Sequence, residues 1–200
     1  MMLLHDNADL EMRTRILAAA ERLFRDIGYL KTTVADIARS LKMSPANVYR
    51  FFESKKAIHE GVARRLMGEV EVEIAAIAAK PTPPAARLRE LLATISRMNT
   101  ERFVGDAKIH EMVSIAMGES WGVCNVYKEH MVMAVATVIG DGVAAGVFKT
   151  DNVALAAKAS CTAMMRFFHP QLIEQCVDDT EPNLDQMIDF VLASLGARAD

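Results

Sequence analysis

Apolar residues recur at helical spacing along most of the chain. From about Leu10 to Ile27, the residues Ile16, Ala20, Leu23, Phe24 and Ile27 fall on one helical face. Glu21 and Arg25 are spaced for an i,i+4 ion pair on another. Gly28 follows at the position of a C-terminal stop. Thr33 is placed to cap a short second helix ending near Ser40 or Leu41, with Asp36 in its first turn and Val34, Ile37, Ala38 and Leu41 as its buried stripe. Ser44-Pro45 opens a third helix. Serine caps it, and proline at the first helical position loses no needed hydrogen bond. This helix ends near Phe52. Ser54 caps a longer fourth helix whose stripe is Ile58, Val62, Leu66, Val70, Ile74 and Ile77, stopping before Pro81. Val70 to Ile74 alternates as a strand would, but the 3.6-residue pattern around it is longer and predicts helix.

The stretch Lys80 to Pro84 reads as a linker. Beyond it the pattern predicts five helical segments, at about 84–103, 107–117, 121–145, 152–168 and 183–195. The expected fold is therefore all-α with about nine helices. Composition agrees, since the chain of 200 residues is 52% hydrophobic and so able to bury a core, and Ala, Leu, Met, Glu and Arg favour helix. Nothing in Met1 to Leu10 resembles a secretory signal. The longest apolar run, Met131 to Ile139, falls short of the roughly 18 residues a bilayer span needs. Cys124, Cys161 and Cys176 are odd in number and widely spaced, implying neither a disulfide framework nor a zinc site. A cytoplasmic protein without cofactor or metal is the expectation.

Charge changes the picture. The chain carries a net −3, but residues 1–66 hold 12 Lys+Arg against 8 Asp+Glu, a net of +4, and the remainder a net of −7. A basic head on an acidic body points to a polyanion at the head alone. Three short helices, the second and third joined by a tight turn, make a helix-turn-helix whose third helix would lie in the major groove. Its exposed positions are Pro45, Ala46, Asn47 and Arg50. Small residues permit close approach, Asn can bond adenine edges, and Arg can bond guanine edges or phosphate. Lys42, Lys55 and Lys56 flank it, and the helix N-termini at Thr33, Ser44 and Ser54 can present amides to phosphates.

The residues Phe24, Gly28-Tyr29, Thr32-Thr33, Ile37-Ala38, Ser44, Val48-Tyr49, Phe51-Phe52 and Ser54-Lys55 together resemble the DNA-binding domain of the TetR family of bacterial transcriptional regulators. The resemblance implies that Thr33, Tyr49 and Lys55 grip the DNA backbone, that Pro45, Ala46, Asn47 and Arg50 face bases or adjacent phosphates, and that Phe24, Ile37, Val48 and Phe52 are core. It also implies a DNA-binding head at 1–56, a ligand-binding and dimerisation body at 57–200, and a homodimer acting on a palindromic double-stranded operator. One position departs from the family: Lys42 stands where glycine is usual in the turn between the second and third helices. If that residue needs positive φ, lysine costs on the order of 1 kcal/mol relative to glycine.

For the body, the small residues Ala156, Ala159 and Ala163 with Phe167 share a helical face, and the last helix adds Met187, Phe190, Val191 and Ser194. Family resemblance makes these the expected four-helix dimer interface. The expected pocket lies between Leu88 and Met165, with Met98, Phe103, Met112, Met117, Trp121, Tyr127, Met131 and Met164 as candidate lining for a small, largely apolar effector, aromatic ligands included. For any one of these residues, ordinary core packing is the stronger reading. An effector-independent regulator and a helical binding protein without DNA activity stand as alternatives.

An enzyme finds little support. Gly140, Gly142 and Gly146 are spaced GxGxxxG within or at the end of a helix, with no strand before them, so a packing contact and a helix cap are the reading. His110-Glu111 begins like a metalloprotease motif, but Ser114 stands where the second histidine belongs. His5, His59, His130 and His169 lack metal-ligand spacing, and GxSxG and P-loop motifs are absent.

Overall fold

A computed structural model describes residues 2–118, 122–176 and 181–197, and no strand occurs among them. Eleven helices follow one another: α1 (Met2–Ile27), α2 (Val34–Ser40), α3 (Pro45–Tyr49), α4 (Lys55–Ala78), α5 (Pro84–Phe103), α6 (Ala107–Gly118), α7 (Gly122–Ala144), α8 (Val153–Ala163), α9 (Met165–Phe168), α10 (Pro170–Gln175) and α11 (Leu184–Ser194). The excess over the expected nine arises after residue 152. Met164, at φ −83° and ψ 2°, separates α8 from α9. His169 is extended, as a residue before proline tends to be, and Pro170 opens α10.

The start signals act as expected. Thr33 and Asp36 form a reciprocal capping box at α2. Ser44 accepts from the Asn47 amide at 3.2 Å, and Ser54 from the Ala57 amide at 3.0 Å. Asn183 and Gln186 make a second capping box, at α11.

Two compact units emerge, one of Met1–Leu66 with Asp106–Val123, the other of Met67–Gly105 with Cys124–Asp200. In the first, α1 packs on α2 and α6, and α2 on α3. Ile16, Ala20, Phe24, Ile37, Ala38, Val48, Ile58 and Val62 are fully buried. Ile27, expected on the buried face, is instead 43% exposed. The buried row of α1 advances by four residues, so after Ala20 and Phe24 it continues in buried Gly28 rather than Ile27. Asp106 caps α6 through the amides of Lys108 and Ile109 and pairs with Arg25 at 3.2 Å. Lys108 donates to the Asp26 carbonyl near the end of α1.

In the second unit α5 packs against α9, α10 and α11, and α8 against α9 and α11. Leu88, Leu91, Leu92 and Ile95 of α5 are fully buried. Arg87, also buried, donates to the Ala78 carbonyl at 2.7 Å and to Asp141 at 2.9 Å, joining the end of α4 to α7. The glycine spacing is structural: a Cβ at Gly142 would meet the Phe148 ring at 2.0 Å, and Gly146 has φ +71°.

Candidate nucleic-acid interface

The turn between α2 and α3 begins where α2 exhausts its buried stripe. The Met43 amide donates to the Ala38 carbonyl at 2.9 Å and the Lys42 amide to that of Arg39 at 3.1 Å, a Schellman pairing. This closure requires a left-handed residue, and Lys42 adopts φ 56°. The strain inferred for lysine at this position is present, at a cost of about 1 kcal/mol relative to glycine, and the side chain is exposed.

That turn sets the attitude of α3. Val48 alone of its five residues is buried. Pro45, Ala46, Asn47 and Tyr49 are exposed, as is Arg50 at its C-terminal end. The outward surface is thus a small-residue platform with an amide, a phenol and a guanidinium standing on it. Exposed Thr33 and Ser44 mark the N-termini of α2 and α3. Hydrogen bonds from the Thr33 side chain and amide, helped by Arg39, hold the Asp36 carboxyl below its usual range against the opposing effect of burial.

Lys55, half-buried at the start of α4, lies 4.3 Å over the Tyr29 ring and donates to the Leu30 carbonyl at 3.3 Å. Burial lowers its pKa. The Tyr29 ring sits 4.0 Å from that of fully buried His59, and Phe24 meets both edge-on. Burial, then the Lys55 charge, push His59 down to about 3, although a backbone hydrogen bond with Met112 of α6 acts the other way. Lys55 is therefore held over a single ring, Tyr29, that Phe24 and His59 pack in place.

Two residues in the first half of α1 join this corner without any local sequence signal for it. Asp9 lies 3.5 Å from Arg50, and Arg13 donates to the Phe51 carbonyl at 2.6 Å while stacking 4.6 Å over Phe52. Their i,i+4 spacing puts them on one face, but only the folded chain brings that face to the end of α3. Arg13 borders a cleft of about 800 Å³ reaching Tyr49, Glu60 and Arg64.

The effector candidates are placed differently. Met98, Tyr127, Met131 and Met164 are buried in the second unit, while Met112 is fully buried on α6 in the first. Trp121 and the side chains of Phe103 and Met117 lie outside the described residues. The Tyr127 hydroxyl donates to Asn99 Oδ1 at 2.6 Å, and Asn99 Nδ2 donates to the Phe168 carbonyl at 2.8 Å. Burial pushes the phenol pKa up. A groove of about 370 Å³ between α4 and α7 is lined by other residues, among them Ile74, Met133 and Ala134.

Ala156, Ala159, Ala163, Phe190, Val191 and Ser194 share one groove of about 320 Å³ on α8 and α11. Val191 is buried at its floor and Phe190 is 61% exposed beside it. Phe167 and Met187 are half-buried and do not line it. Among the described residues, no group of three or more His, Cys, Asp or Glu could hold a metal, and no helix is long and apolar enough to cross a membrane.

Comparison with known proteins agrees with this architecture. Residues 16–62 match the family model of bacterial regulatory proteins of the tetR family, and residues 84–188 match the tetracyclin repressor-like C-terminal domain. The HTH-type transcriptional regulator HbdR of Aromatoleum sp. (strain CIB) is 35% identical over 78 residues, 39% of this chain and 34% of that protein. The negative regulator of the biofilm operon icaADBC, IcaR, of Staphylococcus aureus (strain Newman) is 43% identical over 49 residues, 24% of this chain and 26% of that protein. The matched stretches thus span about a third and a quarter of these relatives. In fold, the chain is similar to RolR in complex with resorcinol, with TM-score 0.68 and 17% identity, over 97% of this chain and 92% of that one. It is also similar to a TetR/AcrR-family regulator from Thermobifida fusca, with TM-score 0.67 and 20% identity, over 94% and 100% of the two chains.

Proposed function

The chain belongs to the TetR family of bacterial regulatory proteins, and from that premise we propose that it is a homodimeric, sequence-specific DNA-binding repressor released from a palindromic operator by a small, largely apolar effector. The observation that carries the DNA-binding half is the exposure of Asn47 and Arg50 beside buried Val48, on a helix whose approach is set by Ser44 and strained Lys42. Asn47 and Arg50 read base edges, while Thr33, Lys42, Ser44, Tyr49 and Lys55 hold phosphates, with Pro45 and Ala46 allowing close contact. The head comprises residues 1–56 and the body 57–200. The α8 and α11 faces of two copies pair, placing two recognition helices about 34 Å apart. Effector binding favours another separation, and a coupling of roughly 1–3 kcal/mol relieves repression.

Selection of operator sequences from a random duplex library tests the first half. Asn47→Ala or Arg50→Ala changes the preferred sequence, whereas Lys55→Ala weakens binding to all sequences and lowers its salt dependence. Wild-type protein that enriched no sequence would overturn the reading. For the effector, a thermal-shift screen of small apolar compounds is the test, with phenols included because the similar RolR was crystallised with resorcinol. The buried, packed state of Met98, Tyr127, Met131 and Met164 supports a second reading, a regulator without effector. A screen without stabilising compounds decides for it.

A further inference from the structure

We propose that Asp9, on the part of α1 preceding the family match, is a restraining residue whose pair with Arg50 holds the guanidinium back and lowers the protein's affinity for DNA. The inference rests on the DNA-binding reading above. Helix α1 starts at Met2, whereas the match to the tetR-family model starts at residue 16. The intervening turns lie outside the match, and the structure gives them a contact. Arg13 is their anchor: it donates to the Phe51 carbonyl at 2.6 Å and stacks on Phe52. One turn earlier on the same face, Asp9 falls 3.5 Å from the Arg50 guanidinium. The Phe51 ring supports that guanidinium from another side at 4.9 Å. Arg50 is thereby gripped between a carboxylate and a ring at the end of the recognition helix.

The strength of the pair suits a modest restraint. Both side chains are well exposed, 68% for Arg50 and 59% for Asp9, and an exposed pair of this kind shifts an equilibrium by about twofold to fivefold. A carboxylate at this position competes with any phosphate that approaches Arg50. A transient contact on arbitrary DNA gains little over the internal pair and is suppressed. A contact made in register, with the guanidinium forked onto a guanine edge, is worth about fivefold to a hundredfold and displaces Asp9 readily. A base contact must break the internal pair, whereas arbitrary DNA can be bound with the pair intact, so Asp9 lowers affinity for the operator at least as much as for arbitrary DNA, and it acts only through Arg50.

Binding of full-length protein to a 30-base-pair duplex of random sequence, and to the pool that wild type selects from such a library, tests this. Asp9→Asn binds random duplex about twofold to fivefold more tightly, with a steeper salt dependence by up to about one released ion. It gains at least as much on the selected pool, because a base contact obliges Arg50 to leave Asp9. In an Arg50→Ala background Asp9→Asn changes nothing, and Glu11→Gln, an exposed carboxylate on the same helix, is the control for loss of negative charge alone. Equal gains in both backgrounds, or from Glu11→Gln, would reduce Asp9 to general repulsion and overturn the proposal. No gain at all overturns it too, while leaving the regulator reading standing if wild type still selects a sequence. Wild type that selects none removes both.

Discussion

The sequence marks both the recognition corner and the helical body as binding regions, and the fold treats them in opposite ways. Every α3 side chain assigned to DNA faces water, with Val48 alone turned inward. Every described side chain assigned to effector is buried. The difference follows from the partners. A duplex is a large, charged object that docks onto groups already displayed on a surface, so exposure at a fixed angle is the signature of such a site. A small apolar effector occupies the same kind of environment as a core side chain, and methionines suit both. The pattern that marks such a pocket is the pattern that marks ordinary packing.

Several substitutions would break or sharpen this contrast. The largest effect is expected at a body site that resembles the corner in being exposed. Phe190→Glu puts a charge where α11 and α8 of two copies are to meet, and costs at least about 3 kcal/mol in dimerisation. Sedimentation should find monomers at micromolar concentration, with operator affinity lost alongside; an unchanged dimer removes Phe190 from the interface. Next comes the buried side of the head. His59 titrates near 3 in the fold and near 6.5 when unfolded. As pH falls below 6.5 the unfolded chain takes up the proton first, so the stability His59 contributes is present above that pH and is lost on the way down to about 3. Between pH 7 and pH 5 this removes about 2 kcal/mol. Urea titrations of wild type and His59→Phe should differ by that amount in their pH dependence, and parallel curves would refute it.

Within the body, Tyr127→Phe leaves Asn99 Oδ1 without the donor it has at 2.6 Å, at a cost of about 1.5 kcal/mol. A variant as stable as wild type would mean that another donor reaches Asn99, and that this core is open enough to admit one. The smallest effect divides stability from binding at a single residue. Lys42→Gly relieves the strain at φ 56° and stabilises the head by about 1 kcal/mol, yet lowers the salt dependence of DNA binding by about one ion if Lys42 meets a phosphate. Stabilisation without that change in slope would leave Lys42 as strain with no role at the groove.

The head was legible residue by residue because its signals are local. Thr33, Ser44 and Ser54 mark helix starts through hydrogen bonds that span three residues, and Lys42 sits where the closing turn demands a left-handed backbone. The break at Met164 is silent in the sequence because no glycine or proline announces it. The seam between α6 and α1 was equally silent: Asp106 and Arg25 are ordinary surface charges until folding brings them to 3.2 Å.

Periodicity and capping, which act within a few residues, determined from the chain alone that it is helical, where most of its helices begin and end, and which side of the short Ser44-Pro45 helix faces water. Tertiary structure decided what no local pattern encodes: that α6 joins the first unit, that Asn99 and Tyr127 satisfy each other in the core of the second, and that the start of α1 reaches Arg50. Such contacts join residues tens of positions apart, and packing places them through the whole hydrophobic arrangement of each unit rather than through any preference of the residues themselves.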